Sequence, residues 1–542
     1  MADDARALDN GVAPASTTFV TGAIILVAGS LGSRVLGATY RIIIPILMGG
    51  GTRAATGMGL YQIAYPIFLL AVTLITTGFP LAISKIVAAR LADGDEAGAQ
   101  SVFAAARLVL PACGFVLALV MWLIAPWIAR NVAHDLQAVI TIRAISPAVF
   151  TSSFAAPYRG AYQGMQNMRP YAISQIIEQI GRIATMFILV IVLLPFGIPY
   201  AAAGISLGTV VGGFFAFGTV LWYWRRSHLR STPHVEHRPV LNPLVLGEIF
   251  ALAIPIALSA SILPLLSLSD AIIVPLRLVA AGMGHQAIAL YGVLTGYATP
   301  LIMAPSVFTA SLSMSLLPSV SASLARGNRQ AGMQSAASGL RLAVLFALPA
   351  ATGLALLAGV LPRILFHASD AARPMLALAP ALVFLCLQQT SSGVLRGLGR
   401  PDISVRNLVA GGVVKVGIAW WLVALPAWNI SGDALSTSIA YGIACTLNIT
   451  AVAHRLPGVV DWRHMVFRPL IAAASMTAAV LVVEKLLATH GLIIEAAGAV
   501  IVGVVAYVVV IVLVRGIRRS DLELVPRVGR PAARALARWG LL

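Results

Sequence analysis

The sequence predicts an all-α integral membrane protein with about 14 transmembrane helices, arranged as two parallel six-helix repeats and two extra C-terminal helices. Three observations predict this class: an apolar composition, a series of long apolar runs, and a segment of the first half that recurs in the second. Hydrophobic residues make up 59% of the 542 residues, charged residues only 10%, and the mean hydropathy is +0.91. Soluble domains carry about 25% charged residues.

The apolar runs are long enough to cross a bilayer as helices, since about 20 apolar residues span a hydrocarbon core of about 30 Å. Barrel strands are shorter and alternate in polarity, so they do not fit. The connections are short, and the longest covers residues 225–243. No connection is long enough to fold into a soluble catalytic domain. The runs lie near 18–48, 58–84, 102–128, 138–162, 171–195, 199–224, 246–275, 288–317, 336–361, 374–395, 404–426, 433–453, 467–488 and 492–514.

Basic residues alternate between the connections. The even-numbered connections carry most of them, including Arg225 and Arg226 after the sixth run and Arg396 and Arg400 after the tenth. Lys and Arg concentrate in cytoplasmic loops, so we expect a multi-pass protein of a bacterial inner membrane with both termini in the cytoplasm. This asymmetry also accounts for the net charge of +18, and we expect no nucleic-acid partner.

Cysteines and phosphate-binding motifs give no sign of a cofactor. Cys113, Cys386 and Cys445 each lie within an apolar run and have no metal-ligand spacing. No phosphate-binding loop is found, so nothing indicates ATP hydrolysis. We therefore expect no catalytic residue, no metal and no cofactor.

The internal repeat sets the predicted domains. The segment AGAQSVFAAARL, at 97–108, aligns without gaps to AGMQSAASGLRL, at 331–342, with six identities in twelve. Further along, YRGAYQGMQNMRP at 158–170 is echoed by LRGLGRP at 395–401. Because each unit holds an even number of helices, the repeats should be parallel. The predicted domains are an N-lobe (1–240), a C-lobe (241–460), a final helix pair (461–516) and a basic cytoplasmic tail (517–542).

Two arginines interrupt the first apolar run. Arg34 and Arg41 are seven residues apart, which places them on one face of a helix. At about 1.5 Å per residue from the cytoplasmic end near Phe19, Arg34 lies roughly 22 Å deep and Arg41 roughly 33 Å. A charge that faces lipid at the bilayer centre costs from about 2.5 to over 10 kcal/mol, which favours a water-filled cavity. The alternatives are an ion pair for Arg34 and an outer-interface position for Arg41.

Further cations extend the predicted cavity. Lys85 ends the second run and has a cytoplasmic anchor as its alternative role, while Arg53 follows the first run and has a loop charge as its alternative. Such a basic cavity suits an anion, and clustered guanidiniums suit phosphate because their planar forks bind it through two hydrogen bonds. The predicted substrate-binding residues are Arg34, Arg41, Arg53, Lys85 and Arg277.

Acidic residues are few within the runs. Asp270 precedes Arg277 by seven residues in the seventh run, and Glu178 precedes Arg182 by four in the fifth. The second spacing also fits a pair that neutralises itself within one helix. Asp270 and Glu178 are the candidate carboxylates for binding a coupled cation.

One motif resembles a known family. The stretch GLYQIAYPIFLLAVTLITTGFPLAISKIVAARLADGD, at 59–95, resembles the second helix of stage V sporulation protein B-like polysaccharide exporters. Upstream, GSRVLGATYRI resembles the first helix of that group and of the MurJ-type lipid II flippases, all in the multidrug/oligosaccharidyl-lipid/polysaccharide (MOP) superfamily. The seven-residue spacing and Ile42 after the second arginine favour the sporulation-type branch.

The resemblance implies two lobes that face a central cavity, which opens alternately to each side of the membrane. It implies transport of an undecaprenyl-pyrophosphate-linked glycan, lipid II-like or a polysaccharide precursor, from the inner to the outer leaflet. We therefore expect a monomeric transporter and not an enzyme, driven by the membrane potential or by coupled H⁺ or Na⁺. By the same resemblance Arg34 and Arg41 contact the head group, and the two extra helices form a groove for the lipid tail. The partners are then this substrate and membrane lipids. The alternatives are a drug/cation antiporter of the same fold and a non-transporting scaffold for envelope or spore-coat assembly. The choice of glycan and coupling ion stays open.

Overall fold

Every regular element in the described part of the chain is helical. The computed structural model describes residues 32, 36–37, 40–226, 242–487, 489–518 and 521. Within these residues, 15 helices are long and apolar enough to cross a membrane, which confirms the all-helical membrane class. They are α1 (Gly51–Ala92), α2 (Glu96–Asn131), α3 (Ala138–Gly164), α4 (Met168–Phe196), α5 (Ile198–Arg226), α6 (Pro243–Ala260), α7 (Ile262–Ala280), α8 (Gly284–Met303), α9 (Ser306–Ala325), α10 (Arg329–Gly359), α11 (Ala372–Gly397), α12 (Pro401–Leu422), α13 (Asn429–Arg455), α14 (Arg463–Leu487) and α15 (Leu492–Leu513).

The seventh and eighth predicted runs each form two helices. Ser261 separates α6 from α7, and its hydroxyl donates to the carbonyl of Ala257 at 2.7 Å, which closes the last turn of α6. Ala304 and Pro305 separate α8 from α9. Proline has no N–H and restricts the residue before it, which explains a break at this point. The second to fourteenth predicted runs therefore correspond to the 15 helices, and most of the first run, 18–48, lies outside the described residues. The predicted total of about 14 is not confirmed.

Several helices contain wider or tighter turns. Pro80 and Pro300 each follow a π turn, and the wider turn relieves the clash between a proline ring and the preceding turn. The π turns are Leu74–Gly78 in α1, Val293–Ala298 in α8 and Arg463–Phe467 in α14, and the 3₁₀ turns are Leu194–Phe196, Gly284–Gln286 and Leu357–Gly359. The pieces of α3 are Ala138–Ile145, Pro147–Ser153 and Ala155–Gly164, a short helix covers Leu361–Phe366, and residues 40–47 are also helical.

The described residues form two compact units. The first unit comprises the described residues up to Met48 and Leu60–Ile272, and the second comprises Gly49–Gly59 and the described residues from Ile273 onward. The division passes through α1 and α7, so each of these helices contributes to both units. The predicted lobes 1–240 and 241–460, the helix pair 461–516 and the tail 517–542 stay predictions.

The two recurring sequence segments begin long helices in the same way. The Asp95 side chain caps α2 by accepting from the backbone N–H three residues on, at 2.7 Å, and Asn328 caps α10 in the same manner at 3.0 Å. Each cap satisfies an N–H that has no partner inside the helix. Gly94 and Gly327 precede the caps with φ of 76° and 73°, a conformation that favours glycine. The local similarity accords with duplication, and the parallel arrangement of whole repeats stays a prediction.

Each unit has its own packed core. In the first unit Phe103 stacks on Trp224 with ring centroids 4.2 Å apart, and Tyr158 packs edge-on against both rings. In the second unit, Leu340 of α10 and Val394 of α11 are fully buried in one apolar cluster. A second cluster joins α14, α15 and α10. Many large apolar side chains outside these cores are exposed, as expected for helix faces that contact lipid.

Candidate functional site

Two arginines and three tyrosines meet inside the first unit. Arg182 of α4 donates from Nη2 to the Tyr61 hydroxyl at 3.0 Å, and this hydroxyl lies 3.5 Å from that of Tyr40. The Arg182 guanidinium carbon lies 5.5 Å from the ring centroid of Tyr40 and 5.4 Å from that of Tyr65. Arg41 lies 5.8 Å from the same Tyr65 ring. We call Tyr40, Tyr61 and Tyr65 the tyrosine cage. Its ring faces attract both cations.

Arg182, Tyr40 and Tyr61 are almost completely buried, and Tyr65 is half-buried. Arg182 is 7% exposed, Tyr40 3% and Tyr61 0%. Among the described residues, the Nε of Arg182 has no hydrogen-bond partner. Within the described residues, neither Arg182 nor Arg41 forms an ion pair with a carboxylate. Taking a charge out of water costs several kcal/mol, and tyrosine rings offset only about 0.5–2 kcal/mol each. Among the described residues the two cations thus have no anionic partner, and the arrangement is suited to receive an anion.

Close helix packing sets the position of Arg182. A Cβ added at Gly212 of α5 would lie 2.9 Å from the Cβ of Arg182, and one added at Gly208 would lie 2.9 Å from its carbonyl oxygen. The absence of side chains at these two glycines lets α5 approach the backbone of α4 directly. Larger residues there would displace the turn of α4 that carries Arg182.

The interpretation that Glu178 and Arg182 neutralise each other within α4 is wrong. Glu178 instead accepts a hydrogen bond from Nη2 of Arg159, in α3, at 2.8 Å. Nε of Arg159 also donates to the Ser174 hydroxyl at 3.0 Å. Glu178 thus forms an ion pair that links α3 and α4. Arg182 therefore has no acid partner on its own helix. A cation-coupling role for Glu178 would have to compete with Arg159.

The other predicted residues lie in other surroundings or outside the described part of the chain. Arg34 lies outside the described residues. Lys85, in the first unit, is exposed, and so is Arg53, at the start of α1 in the second unit. Arg277 donates from Nε to the Trp420 carbonyl at 2.8 Å, with its guanidinium carbon 4.6 Å from that indole. Asp270 precedes Arg277 on α7, as predicted, and is half-buried. Of the described members of the predicted cationic set, the structure therefore brings only Arg41 into contact with the tyrosine cage.

Sequence reasoning missed the role of the tyrosines and of Arg182 as a ligand candidate. The available signal was the four-residue spacing of Tyr61 and Tyr65, which puts both rings on one face of α1. A second signal was the basic residue at 182 in an apolar run with few acids. Neither signal shows which helices meet, because Arg182 and Tyr61 are 121 residues apart.

An apolar groove lies between α10, α14 and α15 in the second unit. Its volume is about 530 Å³, within the range of about 300–1,000 Å³ typical of ligand pockets. Pro349 and Gly353 line one side, Met476 the second, and Val504 and Tyr507 the third. The expected groove of the two extra helices is thus present as a surface feature. Among the described residues, no cluster of three or more His, Cys, Asp or Glu residues is arranged to hold a metal ion.

Two family models match the chain. The polysaccharide biosynthesis protein model matches residues 19–324, which include the whole tyrosine cage. The MatE model matches residues 255–421.

Two relatives align with most of the chain. Stage V sporulation protein B of Bacillus subtilis (strain 168) is 27% identical over 521 residues, which is 95% of this chain and 99% of that protein. Lipid II flippase MurJ of the same organism is 27% identical over 449 residues, 79% of this chain and 81% of that protein.

Solved structures share the fold. A lipid II flippase MurJ in an inward closed conformation aligns with a TM-score of 0.65 at 14% identity, covering 90% of this chain and 98% of that one. An inward-facing multidrug resistance MATE family transporter of the MOP superfamily aligns with a TM-score of 0.59 at 17% identity, covering 78% and 98%. These comparisons confirm the expectation of a MOP-superfamily membrane transporter and not an enzyme. Because the family model covers more than half of the sequence, the chain belongs to the polysaccharide biosynthesis protein family.

Proposed function

We propose that the protein is an alternating-access flippase that moves an undecaprenyl-diphosphate-linked glycan from the inner to the outer leaflet. The observation that carries this proposal is the pair of cations, Arg41 and Arg182, that share the tyrosine cage without an acid partner among the described residues. A desolvated diphosphate cannot cross hydrocarbon unaided, because burying an unpaired anion is very costly. Cations that lack a counter-ion offset that cost.

Arginine geometry favours phosphate over other anions. A guanidinium fork donates two parallel hydrogen bonds to phosphate oxygens. The Nε of Arg182, which has no hydrogen-bond partner within the described part of the chain, supplies one such donor. The tyrosine rings hold both cations in place while the site is empty. On ligand binding, the phosphate replaces the weaker ring contacts as the counter-charge.

The apolar groove offers a place for the lipid chain. Its lining is almost entirely aliphatic and aromatic, including Leu354 and Val508. In this proposal the glycan and diphosphate pass through the protein while the chain stays in the groove or the surrounding lipid. The groove needs no specific polar contact, because burial of apolar chain area is non-directional.

Return of the empty carrier needs a driving force. The membrane potential acts on a cationic site directly, at about 2.3 kcal/mol per charge per 100 mV. A coupled H⁺ or Na⁺ is the other candidate, bound at Asp270 or Glu178. Glu178 already balances Arg159, so its use for coupling requires that pair to open.

A drug/cation antiporter of the same fold is the main alternative. Such a protein needs acidic side chains for a cationic drug, and the cage instead gathers Arg41 and Arg182. A scaffold that does not transport would not need a buried Arg182 that has no acid partner among the described residues.

The test is a translocation assay in reconstituted vesicles. Lipid II and a polysaccharide precursor on the same diphosphate carrier are offered side by side, together with a cationic dye. We expect translocation of at least one glycan lipid and none of the dye. Transport of the dye alone identifies an antiporter, and transport of nothing favours a scaffold.

A further inference from the structure

A cluster of arginines lies where α14 begins and α15 ends, in the second unit. Arg463, Arg515 and Arg518 all act electrostatically on Arg468. The Arg468 guanidinium donates to the Arg515 carbonyl, which ties the start of α14 to the segment after α15. We call Arg463, Arg468, Arg515 and Arg518 the arginine cluster.

The cluster is built around one acid and one histidine. Nδ1 of His464 lies 2.8 Å from the Asp461 carboxylate, which also contacts Nη2 of Arg518. Nε2 of His464 lies 2.6 Å from Nη1 of Arg468. Since a guanidinium can only donate, Nε2 accepts, and the His464 ring is neutral in this arrangement. Asp461 therefore carries the negative charge at the centre of the cluster.

A second acid fixes the chain after α15. Asp521 is fully buried and receives hydrogen bonds from Nε and Nη2 of Arg341 at 3.0 and 2.6 Å. Its carboxylate also accepts from the Arg518 backbone N–H at 3.1 Å. The four guanidiniums of the arginine cluster and that of Arg341 carry five positive charges, and the carboxylates of Asp461 and Asp521 carry two negative charges. Among these described residues the excess is three positive charges.

This charged region adjoins the apolar groove. Ile517, between the cluster members Arg515 and Arg518, lines the groove together with Ile511. A lipid chain in the groove would thus place its head group within reach of the guanidiniums. Charged head groups and basic side chains meet at membrane interfaces in this way.

We propose that the arginine cluster is a loading site that binds the diphosphate of a polyprenyl lipid whose chain enters the groove. This inference rests on the proposed function and adds a second phosphate site outside the tyrosine cage. The excess of three positive charges matches a diphosphate better than the single charge of a common anionic phospholipid. The head group is captured here first and passes later to Arg41 and Arg182.

The binding test uses the full-length protein in nanodiscs of neutral phosphatidylcholine, with undecaprenyl diphosphate as the probe. Arg463 and Arg515 are exposed, so a double variant, R463Q with R515Q, should fold with an unchanged thermal midpoint. We expect its affinity for the lipid to fall about 100-fold, or about ten-fold for each charge-assisted contact. The control is R326Q, an exposed arginine at the end of α9, which should bind like wild type. An unchanged affinity in the folded double variant overturns the loading site.

Competing ligands separate the sources of phosphate. Inorganic pyrophosphate should compete weakly, since it has no chain for the groove. If phosphatidylglycerol displaces the probe as well as unlabelled undecaprenyl diphosphate does, the cluster is a phospholipid site and the proposal fails.

The loading site and the proposed function fail in different ways. If R182M stops translocation while the double variant binds normally, only the loading site is wrong. If wild-type protein neither retains nor moves the diphosphate lipid, the proposed function fails and the loading site with it.

Discussion

Replacing Arg182 by methionine separates a ligand-binding role from a structural one. The change keeps an apolar stem of similar length and removes the charge. It forfeits a hydrogen bond from a charged donor to Tyr61, about 1.5–3 kcal/mol, and two ring contacts of about 0.5–2 kcal/mol each. It also removes the desolvation cost of a cation that is 7% exposed, itself several kcal/mol. These contributions nearly cancel, so we expect the thermal midpoint of R182M to stay within about 4 °C of wild type.

Transport should respond very differently. Two charge-assisted hydrogen bonds to phosphate contribute about 3–6 kcal/mol, so their loss should slow translocation of the diphosphate lipid at least about 100-fold. R182K should fall between wild type and R182M, because an ammonium keeps the charge but not the planar fork. The assay follows a fluorescent glycan lipid across reconstituted vesicles at equal protein content.

The matched control is R143M. Arg143 lies 4.2 Å from the Trp122 ring centroid. Among the described residues its buried Nε also has no hydrogen-bond partner, and the cation contacts of the tyrosine cage involve Arg41 and Arg182 and not Arg143. R143M should transport like wild type. Normal transport by R182M would refute the ligand role of Arg182. A fall of the midpoint by more than about 10 °C would instead show that Arg182 stabilises the first unit.

Three further predictions concern topology, pH and the groove. A cysteine at Ser231, in a background without the native cysteines, should resist an impermeant thiol reagent added outside intact cells, because the basic 225–243 connection is expected in the cytoplasm; ready labelling would reverse the orientation. Burial raises the pKa of Asp461, but hydrogen bonds from the backbone and ring of His464 and the charge of Arg518 outweigh it and lower the pKa. The carboxylate therefore stabilises the fold above its unfolded pKa of about 3.9, and that stabilisation is lost as the pH falls through the folded value. Thermal midpoints should show this acid step in wild type and not in D461N; an identical step in both variants would assign it to other groups. V504W should fill the groove and slow transport of long-chain lipids, whereas V505W, at an equally exposed neighbour that does not line the groove, should not; equal rates would remove the groove from the transport path.

The sequence was sufficient for the membrane class and for most helix positions. Long apolar runs indicate segments that are buried in lipid, so α2, α4 and α5 lie close to the predicted runs. The break at Ser261 was not predictable by the same signal, because the residues on both sides are equally apolar. Only hydrogen bonding within the turn reveals that α6 ends there.

The candidate site was predictable only in part. Arg41 was visible because a charge in an apolar run is costly and rare. The tyrosine cage was not visible, since it depends on the approach of α1, α4 and the helical residues near Tyr40. Glu178 shows the same difficulty: the local four-residue spacing suggested Arg182, but the partner is Arg159 on another helix. Spacing along one helix does not reveal which neighbour offers the better-placed charge.

The most direct test of the proposed function compares two substrates that differ only in phosphate. One is a glycan on undecaprenyl diphosphate, and the other carries the same glycan on undecaprenol through a neutral linkage. In reconstituted vesicles, wild-type protein should translocate the first and not the second, and R182M should not distinguish them because it moves neither. Equal translocation of both substrates by wild type would contradict a cationic site that recognises the diphosphate.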